Sequence, residues 1–154
     1  MPPDRLKVMQ ERFNAGDDLG AVEAANAMEF HEPASPFPPW LRGRVYMRQE
    51  MYELAVVEFR LAIQRDPHPA PRAMLAAALG RLGEFDEAVA LIDEALTLDD
   101  SEEMAPEYAK IAFGIVADAT ETMPSIQKAQ FLDALPGRVR DAATAGDRQK
   151  DDSR

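Results

Sequence analysis

The sequence predicts an all-α fold of paired antiparallel helices, and three observations carry that prediction. The first is an internal copy at an offset of 33 residues: Gly43 returns as Ala76, Tyr46 as Leu79, Tyr52 as Phe85, Ala55 as Ala88, Phe59 as Ile92 and Ala62 as Ala95. Small residues return as small and large apolar residues as large, and a period of this length marks one helical hairpin stacked on the next. The second is composition, since Ala, Leu, Glu, Met and Arg dominate from Leu6 to Ala134 and no run of β-branched residues alternates at period two. The third is punctuation. Breaks at Asn14 to Asp17, Glu32-Pro33, Pro36 to Pro39, Asp66 to Pro71, Leu82 to Glu84, Asp99 to Ser101, Met123-Pro124 and Pro136-Gly137 separate segments of roughly 10 to 20 residues, the length of ordinary helices.

Taken in order, the first hairpin is a weak copy at an offset of 34, with Ala21 matching Ala55, Pro33 matching Pro67 and Met9 standing where Gly43 would be. It covers about residues 2–33. The second hairpin, 36–67, opens at Ser35-Pro36, where a hydroxyl acceptor faces unpartnered amides and proline suits the opening turn. The third spans 70–100, with its turn at Gly83-Glu84-Phe85. Beyond Ser101 the register is lost, because the same offset would bury Pro124 inside a helix at a cost of about 3 kcal/mol. Residues 101–135 are therefore expected to be capping helices, the first with an apolar stripe of Tyr108, Ile111, Ala112 and Ile115 to cover the end of the stack. Residues 136–154 offer little to bury and are expected to be a mobile charged tail, leaving one repeat domain over 1–135.

Within that frame, residues 36–67 resemble a tetratricopeptide repeat through Gly43-x2-Tyr46, a turn before Tyr52, Ala55-x3-Phe59-x2-Ala62 and a closing Pro67. Residues 70–100 resemble a second one. Two departures stand out: Trp40 lies three residues before Gly43 where the family has its tryptophan four before, and Arg42 occupies the usual leucine place. The resemblance implies a right-handed α-solenoid in which the first helix of each pair lines a concave groove. It puts Phe37, Trp40, Arg44, Met47 and Arg48 on that wall, followed by Ala73, Ala77 and Arg81. It further implies a non-enzymatic protein-protein interaction module that takes a partner peptide or protein segment. Trp40 and Phe37 would grip an apolar side chain, and Arg44, Arg48 and Arg81 an acidic or C-terminal carboxylate group. The competing reading packs Trp40 under the Pro33 to Pro39 segment and lays the arginines along their own helices to solvent. The chaperone-tail clamp of some family members is not supported, because its places hold Leu6, Gln10, Trp40, Arg44, Ala73 and Ala77.

Composition narrows the function classes. With 28 acidic and 17 basic residues the net charge of -11 repels phosphate backbones and anionic membrane surfaces, so neither nucleic acid nor membrane is an expected partner. Ten of the acids fall between Glu84 and Glu107 without a single base, whereas Pro36 to Arg72 carries six arginines against four acids. The lack of cysteine removes disulfides and thiolate metal sites, and a chain without an export signal or apolar span is expected to be cytoplasmic. No catalytic or metal-binding residue and no cofactor is assigned: the two histidines, His31 and His68, are each expected in an inter-repeat loop close to proline and read as turn residues. A dedicated chaperone of the secretion type or a co-chaperone for one client, and a self-associating structural solenoid, are the alternative readings, and a homo-oligomer stays open.

Overall fold

The protein is described here by a computed structural model covering residues 4–152, with side chains to Gln149. Among the described residues there are nine helices: α1 (Arg5–Asn14), α2 (Asp18–His31), α3 (Phe37–Arg48), α4 (Tyr52–Arg65), α5 (Pro69–Arg81), α6 (Phe85–Leu98), α7 (Ala105–Thr120), α8 (Ser125–Ala134) and α9 (Gly137–Asp152). None of them is long and apolar enough to cross a membrane.

The three hairpins share one turn. At each, a single residue takes a left-handed conformation, Gly16 at φ 81°, Glu50 at 61° and Gly83 at 82°. The residue that follows donates its amide to a carbonyl five positions back: Asp17 to Arg12 at 3.0 Å, Met51 to Tyr46 at 2.8 Å and Glu84 to Leu79 at 2.9 Å. This 6→1 bond satisfies a carbonyl that the ending helix leaves unpaired and reverses the chain within a few residues. Repetition of this geometry at offsets of 34 and 33 identifies α1/α2 as a repeat equivalent to the two that follow.

The chain divides into two compact units, Met1–Pro71 and Arg72–Arg154, where the sequence reading had one repeat domain over 1–135. Each hairpin touches chiefly its neighbours, so nothing in the repeat principle forces a single body. In the first unit α1 packs on α2, α2 on α3 and α3 on α4. Met9, Ala21, Ala24, Ala25, Met28, Leu41 and Val45 form its buried cluster. Small residues set the spacing of these helices: a Cβ added to Gly43 would sit 2.5 Å from the ring of Phe59, which is fully buried.

In the second unit α7 packs on α6 and buries Tyr108, Ala112 and Ile115, three of the four residues of the expected stripe. Burial and the Asp99 carboxylate, which accepts from the Tyr108 hydroxyl at 2.8 Å, both push the Tyr108 pKa far up. The mobile tail expected over 136–154 is corrected by the structure. Residues 137–152 form α9, which lies along α7 and buries Val139 and Ala143. The approach is close because Gly146 has no side chain; a Cβ there would come within 2.3 Å of the Ala109 carbonyl oxygen. Residues 153 and 154 of that expected tail lie outside the described residues.

Glu50 holds a conformation that costs a residue with a side chain about 1–2 kcal/mol. Glu50→Gly is therefore expected to raise stability by up to about 1 kcal/mol, part of the gain being offset by the greater freedom of glycine in the unfolded chain. A urea titration reads this as a higher midpoint at unchanged slope.

Candidate functional site

The site lies in the first unit and starts from prolines. Helix α3 begins Phe37-Pro38-Pro39, where the fixed φ of proline suits the first turn and its missing amide would have had no helical partner. The Ser35 hydroxyl accepts from the Phe37 amide at 3.3 Å, and both Pro38 and Pro39 are buried. This anchors the first turn and leaves Phe37 41% exposed, one turn below Trp40. The Trp40 ring rests on Phe59, centroid to centroid 5.8 Å at a tilt of 54°.

Opposite them the chain leaves α4 in an extended conformation at Asp66 and passes through Pro67, Pro69 and Pro71. His68 stiffens this passage: its amide donates to the Asp66 carbonyl at 2.7 Å, and its Nδ1 accepts from the Ala70 amide at 3.2 Å. The turn role expected of His68 is thus what its bonds provide. Pro36, Phe37, Trp40, Asp66, His68, Ala70 and Pro71 enclose a mainly apolar cleft of about 210 Å³. That is below the roughly 300 Å³ at which small-molecule sites begin, and it suits a side chain.

The arginines are held against the protein. Arg44 stacks over the Phe13 ring at 4.3 Å and over the Trp40 ring at 5.5 Å. Arg48 stacks over the same Phe13 at 3.9 Å. It donates from Nη1 to the Phe13 carbonyl at 2.9 Å and from Nε and Nη2 to Oδ1 of Asp18, whose other oxygen accepts from Gln49 at 3.1 Å. The hydrogen bond from Arg48 holds the Asp18 carboxyl below its ordinary range. Each of the three nitrogens of Arg48 is therefore engaged, and a carboxylate arriving there would compete with Asp18 and the Phe13 carbonyl. Met47 is half-buried. The remaining expected residues belong to the second unit: Ala73 is 1% exposed and offers no open wall, Ala77 is half-buried, and Arg81 pairs with Asp118 at 3.3 Å.

Arg42 explains its own departure from the leucine expected there. Its side chain is nearly buried and donates to Glu29 at 2.7 Å, to Glu58 at 3.1 Å and to Asn26 at 3.2 Å. Arg65 adds a bond to Glu29 at 2.8 Å and one to the Ser35 carbonyl at 3.0 Å. Burial works against the Arg42 charge, but the two carboxylates outweigh it and raise its pKa. The hydrogen bond from Arg42 in turn holds Glu29 below the usual glutamate range. This network joins α2, α3 and α4 and, through the Ser35 carbonyl, ties in the segment that leads into α3.

Of the residues expected from the sequence, the structure brings Phe37 and Trp40 into one cleft and lays Arg44 on Trp40. Sequence reasoning missed Asp66 and His68 as cleft residues and Phe13 as the platform for both arginines. A signal existed for Asp66, because each second helix ends on an acid, Glu32, Asp66 and Asp99.

The architecture is that of a helical-repeat protein. Two of its repeats, over residues 40–69 and 72–102, match the tetratricopeptide repeat family. No curated protein matches the sequence. Among solved structures, the chain is similar to the first such repeat domain of Spaghetti (RPAP3) bound to the HSP90 peptide SRMEEVD, at 21% identity and a TM-score of 0.62, covering 70% of this chain and 89% of that one. It is similar to YrrB, described as a repeat protein with an unusual peptide-binding site, at 16% identity and 0.61, covering 96% and 76%. It also resembles part of the Thermobaculum terrenum O-GlcNAc transferase at 19% identity and 0.65, covering 86% of this chain and 26% of that one.

Glu29 and Asp18 set a pH dependence. Each has a folded pKa below its unfolded value, so each contributes stability that is present above about pH 4 and lost as pH falls through the folded value. The urea midpoint is expected to drop between pH 5 and pH 3, and to drop less in Glu29→Gln. An equal drop in both proteins would contradict the assignment to Glu29.

Proposed function

We propose that this protein is a non-enzymatic interaction module that holds a segment of a partner protein, with the Phe37–Trp40 cleft as the anchor. The observation that carries this reading is the cleft itself: two aromatic rings and two prolines, Pro36 and Pro71, frame an opening of side-chain size at the rigid start of a helix. Exposed aromatics beside arginine are the usual composition of residues that dominate binding energy. The likeness to repeat domains solved with peptides supports a peptide as the class of ligand.

An acidic or C-terminal carboxylate group is the less favoured form of that ligand. Arg48 already directs three of its five N–H groups to Asp18 and Phe13, and Arg81 faces Asp118. Arg44, stacked on Trp40, is the arginine best placed to touch a bound segment. A self-associating scaffold is the second reading, favoured by Leu19, Phe30 and Val57, which are 88%, 83% and 63% exposed on α2 and α4.

The protein has one tryptophan, so intrinsic fluorescence reports on the cleft directly. Peptides selected by phage display against the full chain are expected to shift Trp40 emission. Phe37→Ala, at an exposed position, should weaken them at least tenfold, about 1.4 kcal/mol, without altering the circular dichroism. Selected peptides that leave Trp40 emission unchanged and bind Phe37→Ala as tightly would refute the anchor, and a sedimentation coefficient that rises with concentration would favour self-association.

A further inference from the structure

The anchor has a chemical preference written into its rim, and that preference is positive charge. Asp66 is the acid that ends α4, and an acid is unfavourable there, because the last carbonyls of a helix already present partial negative charge. Its counterpart one repeat later has a task that offsets this cost: Asp99 accepts from the Tyr108 hydroxyl at 2.8 Å and from the Ser101 amide at 3.0 Å. Asp66 is exposed, lines the cleft, and carries no such bond among the described residues. The base next to it in sequence, Arg65, is turned to Glu29 and to the Ser35 carbonyl and does not neutralise it.

The cleft thus combines three features at one opening: apolar walls from Pro36 and Pro71, the rings of Phe37 and Trp40, and a carboxylate beside a helix C-terminus. Ring faces attract cations through their quadrupole, and lysine and arginine bury an aliphatic stem while keeping a charged head at the edge. The chain-wide charge of -11 favours the long-range approach of a basic segment, whereas the stretch from Pro36 to Arg72 is itself weakly basic, so the local preference rests on Asp66 and the two rings. Resting on the reading of the cleft as an anchor, we propose that its occupant is a lysine or arginine side chain of the partner protein, with the stem along Phe37 and Pro71 and the head at Asp66.

The test uses the full chain and three acetylated, amidated peptides, Gly-Ala-X-Ala-Gly with X lysine, norleucine or glutamate, titrated against Trp40 fluorescence. Norleucine keeps the stem and removes the charge. The lysine peptide is expected to bind about fivefold tighter than the norleucine peptide, about 1 kcal/mol, with the glutamate peptide weakest. Asp66→Asn should bring lysine and norleucine within twofold of each other, while Asp66→Glu keeps the preference. Norleucine binding as well as lysine, or a lysine preference that survives Asp66→Asn, would overturn the cationic assignment and leave the anchor standing. If none of the three peptides shifts Trp40 emission, the anchor and the assignment fall together.

Discussion

The close approach of α3 to α4 is the constraint on which the rest of the first unit depends. It exists because position 43 has no side chain and position 59 has a ring, and the ring fills the space that a Cβ would need. A fully buried phenylalanine contributes roughly 1.5–3 kcal/mol of burial, so the pair is worth keeping even though glycine costs a helix interior up to about 1 kcal/mol. The same ring supports Trp40 from below. Seat, tryptophan and cleft therefore form a single packing arrangement, and the cleft inherits its shape from the core.

Much of this was legible in the chain because a repeat writes each contact more than once. Gly43 with Phe59 becomes Ala76 with Ile92 one repeat later, a larger small residue with a smaller large one, and all four are buried. The turns were legible for a similar reason: Gly16 and Gly83 stand at the positions that need a left-handed backbone. Glu50 shows that the repeat imposes this conformation even on a residue that resists it.

What was not legible has physical causes. Helix α9 was read as a tail because its apolar content is low, but alanine and glycine bury a face by letting backbones approach, and the contact of Gly146 with Ala109 leaves no trace in hydrophobicity. The Arg42 network draws on residues 13 and 16 positions away on two other helices, and no local pattern announces such a meeting. Arg44 and Arg48 of the expected wall turn their guanidinium groups back on Phe13, and Arg48 on Asp18 as well, because a cation close to a ring and a carboxylate is held by both. Asp66 repeats as a helix-ending acid, and only the unequal use of Asp66 and Asp99 distinguishes a structural carboxylate from one that faces outward.

The account makes the size match between positions 43 and 59 the origin of the site, and a double-mutant cycle in urea tests it most directly. With Phe59 present, Gly43→Ala should destabilise the protein by about 1–3 kcal/mol, as overpacking does. With Phe59→Ile, which reproduces the pairing of the next repeat, the same change should become stabilising by roughly 0.5–1 kcal/mol, the helix preference of alanine over glycine. Equal effects of Gly43→Ala in both backgrounds would show that the two positions are independent and would contradict the account.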